Sequence, residues 1–139
     1  MNEYRWEDIQ LGMKASFEAS FTAEQMRQFA EISGDWNPLH TEPGYAEERG
    51  YPGSVVFGML SSSLYSRLVG MYLPGKYCLL QGIDLDFNKP CFAGELLSVE
   101  GEVSFLNEAY RRFEVRGRIR KAADRATVSK ATIRLGFHE

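Results

Sequence analysis

Residues 57–73 read FGMLSSSLYSRLVGMYL, and the spacing within them decides the fold. Phe57, Leu60, Leu64, Leu68 and Met71 recur every three or four residues, the period of a helix. The other side carries Ser61, Ser62, Ser63, Ser66 and Gly70 rather than a charged stripe. A helix of this kind is expected to be buried nearly all round, with small residues where another backbone comes close. Pro74-Gly75 ends it.

What surrounds that helix is strand-like on its C-terminal side. Residues 78–90 place Leu79, then Ile83, Leu85 and Phe87 on alternate positions. Residues 95–107 put Leu97, Val99, Gly101, Val103 and Phe105 on one face. Residues 110–122 turn Phe113, Val115, Gly117 and Ile119 inward and a run of Arg and Glu outward. Residues 126–137 carry Val128, then Ala131 and Ile133 after an irregularity. NEAY (107–110) and AADRA (122–126) read as hairpin turns.

On the N-terminal side, Ala15, Phe17, Ala19 and Phe21 alternate as a short strand. Thr22 and Gln25 form a capping box for a following helix, and Phe21 and Met26 occupy its staple positions. Gly34 stops that helix, and Pro38 disfavours a helical Asn37. Residues 41–56 read as a long loop with a short helical turn at Tyr45–Arg49, and a loop of this length in a compact domain points to function. The order of elements is α+β, with a curved antiparallel sheet around one central helix.

The chain has 139 residues, 44% hydrophobic and 25% charged, the profile of one globular domain. No apolar run reaches membrane-spanning length, and residues 1–13 lack a secretory core, so a cytoplasmic protein is expected. The net charge of −3 argues against nucleic acid as a partner. From Asn107 onward there are nine Lys+Arg against four Asp+Glu, which leaves open an anionic ligand or a solvated strand face. Cys78 and Cys91 lack metal-type spacing and read as reduced core thiols.

Residues 33–40, SGDWNPLH, hold the internal one of two histidines. Asp35, Asn37 and His40 sit on irregular backbone leaving a helix, free to point into a pocket. By spacing alone four readings stand: a turn with a structural His40, an Asp35–His40 acid–base pair sharing a water, a metal site without an evident third ligand, or another binding role.

The wider stretch FAEISGDWNPLHTEPGYA (29–46) resembles the signature of the MaoC-like, (R)-specific enoyl-CoA hydratase and acyl dehydratase family. The matching positions are Phe29, Ile32, Ser33, Gly34, Asp35, Asn37, Pro38, Leu39, His40 and Ala46. VVFGML (55–60) is similar to the family's opening of the central helix, and DFNKPCFAGELL (86–97) to its Pro- and Gly-containing strand. The resemblance implies a hot-dog fold over residues 1–139, with two subunits joining their sheets into a homodimer or higher oligomer. It implies an acyl thioester on coenzyme A or acyl carrier protein as substrate, with no further cofactor and no metal. The implied reaction adds water to a trans-2-enoyl thioester to give the (3R)-hydroxyacyl form, or reverses it.

By the same resemblance Asp35 and His40 hold and activate water, Asn37 fixes the loop, and Ser66 lends a supporting hydrogen bond. Gly58 offers its N–H to the thioester carbonyl, where a helix N-terminus and its dipole favour developing negative charge. One position departs: many relatives carry His where this chain has Phe57. That departure keeps a non-catalytic acyl-thioester-binding subunit in view, and a hot-dog thioesterase is a further alternative.

Overall fold

A computed structural model describes residues 1–138. Five strands form one antiparallel sheet in the order β1-β3-β4-β5-β2. They are β1 (Lys14–Ala19), β2 (Cys78–Phe87), β3 (Leu97–Asn107), β4 (Arg112–Lys121) and β5 (Thr127–Phe137). The helices are α1 (Ala23–Ser33), α2 (Pro38–Thr41), α3 (Pro43–Glu48) and α4 (Gly58–Met71). The sheet packs against α4, which is the expected α+β, hot-dog arrangement. None of the described helices is long and apolar enough to cross a membrane.

The sheet meets α4 through two glycines. A Cβ on Gly101 would lie 2.6 Å from Leu68 Cδ2, and one on Gly117 would lie 2.7 Å from Tyr65 Cε1. Both strand positions therefore need to be bare for the helix to seat. Tyr65 is 1% exposed, and its hydroxyl shares a 2.8 Å hydrogen bond with the buried Ser129 hydroxyl. Leu68, Val99, Val115, Ile119, Ile133 and Leu135 complete the centre of the core.

Several expectations are met in detail. Thr22 Oγ1 accepts the Gln25 N–H at 3.1 Å, and Gln25 Oε1 accepts the Thr22 N–H at 2.9 Å. Phe21 and Met26 are both buried. Gly34 ends α1 with φ 76°, a left-handed turn that glycine takes without strain.

Others are corrected. Residues 41–56 are more regular than expected, because Pro43 opens the six-residue α3. The central helix is not buried all round: Met59, Ser63, Ser66, Arg67 and Met71 form an exposed stripe. Phe105 does not continue the inward face of β3 and is half exposed, because the β3–β4 register shifts between Val103 and Phe105. In β2 the register against β5 shifts between Leu80 and Gly82, so Leu79, Leu80 and Ile83 are all exposed along a sheet edge.

Three of the basic side chains near the last strands are paired with acids. Arg134 pairs with Asp84 at 2.6 Å, Arg120 with Glu100 at 3.3 Å and Lys121 with Glu95 at 3.0 Å. Glu102 stands opposite Arg116 in the ladder. These pairs mix both signs of charge on the strand faces.

Two measurements test this packing. Gly117→Ala drives a methyl into a ring that is buried and hydrogen-bonded, so urea unfolding should show a loss of about 1–3 kcal/mol, the usual range for overpacking. Burial also pushes the Tyr65 hydroxyl up to about 12 and the buried, free Cys91 thiol up to about 11. The folded state holds these protons more tightly than the unfolded chain, whose ordinary values are near 10 and 9. Their contribution is full below pH 9 and is lost as pH rises towards 11 and 12. The urea midpoint should therefore fall through this window. Burial also pushes the Cys78 thiol up to about 11, so replacing both Cys78 and Cys91 by Ala should flatten its first part.

Candidate active site

The loop between α1 and α2 is built from side chains that bond nearby backbone. Ser33 Oγ donates to the Phe29 carbonyl at 2.7 Å and accepts the Asp35 N–H at 3.2 Å. Asp35 Oδ1 accepts the Asn37 N–H at 3.1 Å. Asn37 Oδ1 accepts the Leu39 N–H at 3.0 Å and so caps α2, with Pro38 at its first position. Short polar side chains compete with regular structure in this way and suit turns and caps. Asn37 thus shapes the loop. The capping and catalytic readings of this stretch are compatible, because the caps fix backbone and leave His40 free to face inward.

His40 is half-buried and is held by residues 55–57. Its Nδ1 lies 2.7 Å from the Val55 carbonyl oxygen, which can only accept, so Nδ1 carries the hydrogen. In the neutral ring Nε2 then keeps its lone pair for a proton. The Val55 N–H in turn donates to the Leu39 carbonyl at 3.1 Å. One face of the imidazole stacks on Phe57, with centroids 4.3 Å apart and planes 26° apart. Phe57 is 2% exposed and packs against Phe29 at 4.8 Å on its own account.

Gly58 opens α4 directly after Phe57, and a helix leaves its first N–H groups without internal partners. Ser61 Oγ and Ser62 Oγ both donate to the Gly58 carbonyl, at 2.9 and 2.6 Å, which braces that first turn. A Cβ on Gly58 would come within 2.9 Å of the Phe87 ring, so Phe87 covers this end of the helix.

His40 and Gly58 line the same cleft, about 290 Å³, with Val56, Phe87, Cys91 and Val128. His40 also forms part of a second cavity of about 490 Å³, beside Met26, Trp36 and Pro52. A larger hollow of about 530 Å³ over the outer face of β1, β3 and β4 holds none of the candidate residues. Burial, with a smaller contribution from Glu95, raises the Cys91 thiol, so it stays protonated in the cleft at neutral pH.

Asp35 is exposed and lines neither cavity at His40. Ser66 is exposed two turns along α4 and does not line the cleft, whereas Ser61 does. The sequence reading missed Ser61, Phe87 and the His40–Phe57 stack. Ser61 was within reach as the residue one turn after Gly58. Phe87 reads in the sequence only as a strand position, because its closeness to Gly58 depends on how α4 seats on the sheet. Among the described residues no group of three or more His, Cys, Asp or Glu is placed to hold a metal ion.

Comparison with known proteins places the chain in a family and agrees with this fold. The family model described as "MaoC like domain" matches residues 8–127. An (R)-specific enoyl-CoA hydratase from Aeromonas caviae is 38% identical over 102 residues, covering 73% of this chain and 76% of the relative. A second (R)-specific enoyl-CoA hydratase, from Rhodospirillum rubrum, is 30% identical over 101 residues, covering 73% of this chain and 70% of the relative. Among solved structures, the (R)-hydratase from A. caviae superimposes with a TM-score of 0.90 at 32% identity, covering 95% of this chain and 99% of that one. An unliganded R-hydratase from Pseudomonas aeruginosa gives a TM-score of 0.88 at 28% identity, covering 96% and 85%. With a family model spanning most of its length and relatives of this similarity, the chain belongs to the MaoC-like domain family.

Proposed function

We propose that this chain, as one hot-dog unit, is a hydro-lyase that adds water across the C2–C3 bond of a trans-2-enoyl thioester, or removes it from a (3R)-hydroxyacyl thioester. The thioester is carried by coenzyme A or acyl carrier protein, and the reaction takes place in the cytoplasm. The observation that carries this is the cleft shared by His40, with Nε2 left free by the Val55 bond, and the N-terminus of α4 at Gly58.

In the hydration direction the substrate carbonyl oxygen accepts the Gly58 N–H and His40 holds the attacking water in the cleft. Asp35, which lies outside the cleft in the free chain, joins His40 at that water only when its loop turns inward on substrate binding. His40 Nε2 takes a proton as the water oxygen bonds to C3. The C2–C3 π electrons move onto C2 and the carbonyl, where the helix N-terminus steadies the enolate oxygen. The imidazolium formed at His40 then gives that proton to C2 and returns to its neutral form, so one water is split into the C3 hydroxyl and the C2 hydrogen. Dehydration runs the same steps backwards. The exposed position of Asp35 favours one rival, a non-catalytic subunit that binds acyl thioesters and keeps the loop only for its shape.

Loss of the conjugated enoyl absorbance reports turnover on crotonyl-CoA and longer enoyl-CoAs. Asp35→Asn and His40→Gln should each lower kcat by about 10²- to 10⁴-fold, the usual contribution of a positioned acid–base group, while circular dichroism stays unchanged. Thioester binding by wild type without turnover would favour the binding subunit, and release of free thiol would favour a thioesterase.

The same reading makes the protein a homodimer or higher oligomer. β2 has a neighbour on one side only and exposes Leu79, Leu80 and Ile83 along its free edge, the kind of edge that invites pairing with a second copy. Light scattering should give at least twice the chain mass; a monomer at working concentration would contradict this arrangement.

A further inference from the structure

We propose that Phe57 is a positioning residue that sets the plane of the His40 imidazole and ties it to the Gly58 N–H. This rests on the hydratase reading and adds to it a role for a side chain that lines neither cavity at His40.

An imidazole held by its covalent bond to Cβ and by one hydrogen bond at Nδ1 can still rock about the edge those two contacts define. The Val55 carbonyl holds Nδ1 at 2.7 Å and leaves that rotation free. The stacked face of Phe57, at 4.3 Å and 26°, removes that rotation. Phe57 itself cannot give way, because it is 2% exposed and backed by Phe29 at 4.8 Å. The two restraints together leave Nε2 a single direction.

Phe57 is also the residue before Gly58, and its carbonyl accepts the Ser61 N–H at 3.0 Å in the first turn of α4. The backbone that carries the stacking ring is thus the backbone that places the Gly58 donor. The imidazole and the donor are both referred to residue 57 and its neighbours. The distance between proton acceptor and oxyanion donor is held by one rigid dipeptide rather than by two independent loops, which is the precision that near-attack geometry needs.

The test uses the small number of histidines. His138 is exposed at the end of the chain, away from the cleft, so His138→Gln leaves a protein with one imidazole. In that protein the carbon-bound ring protons of His40 should resonate upfield of an unstacked imidazole, because they lie over the Phe57 ring. Phe57→Leu should return them to unstacked positions and lower kcat roughly 10- to 100-fold, with KM for crotonyl-CoA changed by about twofold or less. Phe57→His, which keeps a planar ring, should retain most of the turnover.

His40 protons at unstacked positions in the parent protein would overturn the proposal. So would a Phe57→Leu enzyme with parental kcat. If the Leu variant does not fold, the parent spectrum and the turnover of Phe57→His decide: an upfield His40 with kcat retained supports the proposal, and a His variant that folds but loses tenfold or more contradicts it. A wild-type protein without turnover but with upfield His40 signals would sink the hydratase reading and leave the stack standing.

Discussion

The seating of α4 on a sheet without Cβ atoms at Gly101 and Gly117 is the constraint from which the rest follows. Leu68 and Tyr65 occupy the space those side chains would need. Because α4 is pinned there, its N-terminus is delivered beside the end of β2 at Phe87 and the start of β5 at Val128. That is where a cleft opens and where Gly58 meets it. The Tyr65–Ser129 hydrogen bond fixes the same helix to β5 in the interior. A core of this kind resists sliding, since a shift of α4 would break a buried polar pair as well as its packing.

The second half of the site reaches α4 through residues 55–57. The chain there takes the Leu39 carbonyl with one backbone group and the His40 ring with the next. The loop after α1, shaped by its own Ser33, Asp35 and Asn37 bonds, is thereby locked to the start of α4. Chemistry needs an acid–base group and an oxyanion donor at a set separation. On the proposed mechanism the turn made of local hydrogen bonds supplies the first through His40, the helix start supplies the second through Gly58, and residues 55–57 join them.

Much of this was legible in the sequence where it depends on local rules. The Thr22–Gln25 capping box, the Gly34 stop and the alternation in β4 all follow from neighbours in the chain, and all are present. Asp35, Asn37, His40 and Gly58 were singled out by motif, and His40 and Gly58 meet in one cleft while Asn37 caps α2. What escaped depends on distant partners. Phe105 leaves the core through a register shift that only pairing with β4 reveals. The exposed stripe of α4, the edge position of β2 and the Phe57–His40 stack are set by packing across the molecule. Ser61 rather than Ser66 lines the cleft because the cleft lies at the first turn of α4, a matter of depth that helical spacing leaves open.

The central claim is that the bound water ends on C3 of the acyl chain. It is tested most directly by incubating the protein with crotonyl-CoA in water labelled with heavy oxygen and analysing the product for label position and configuration. The account predicts label in the C3 hydroxyl of a (3R)-3-hydroxybutyryl thioester, with the thioester intact. Label in a released carboxylate, or crotonyl-CoA recovered unchanged with no labelled hydroxyacyl product, would contradict it.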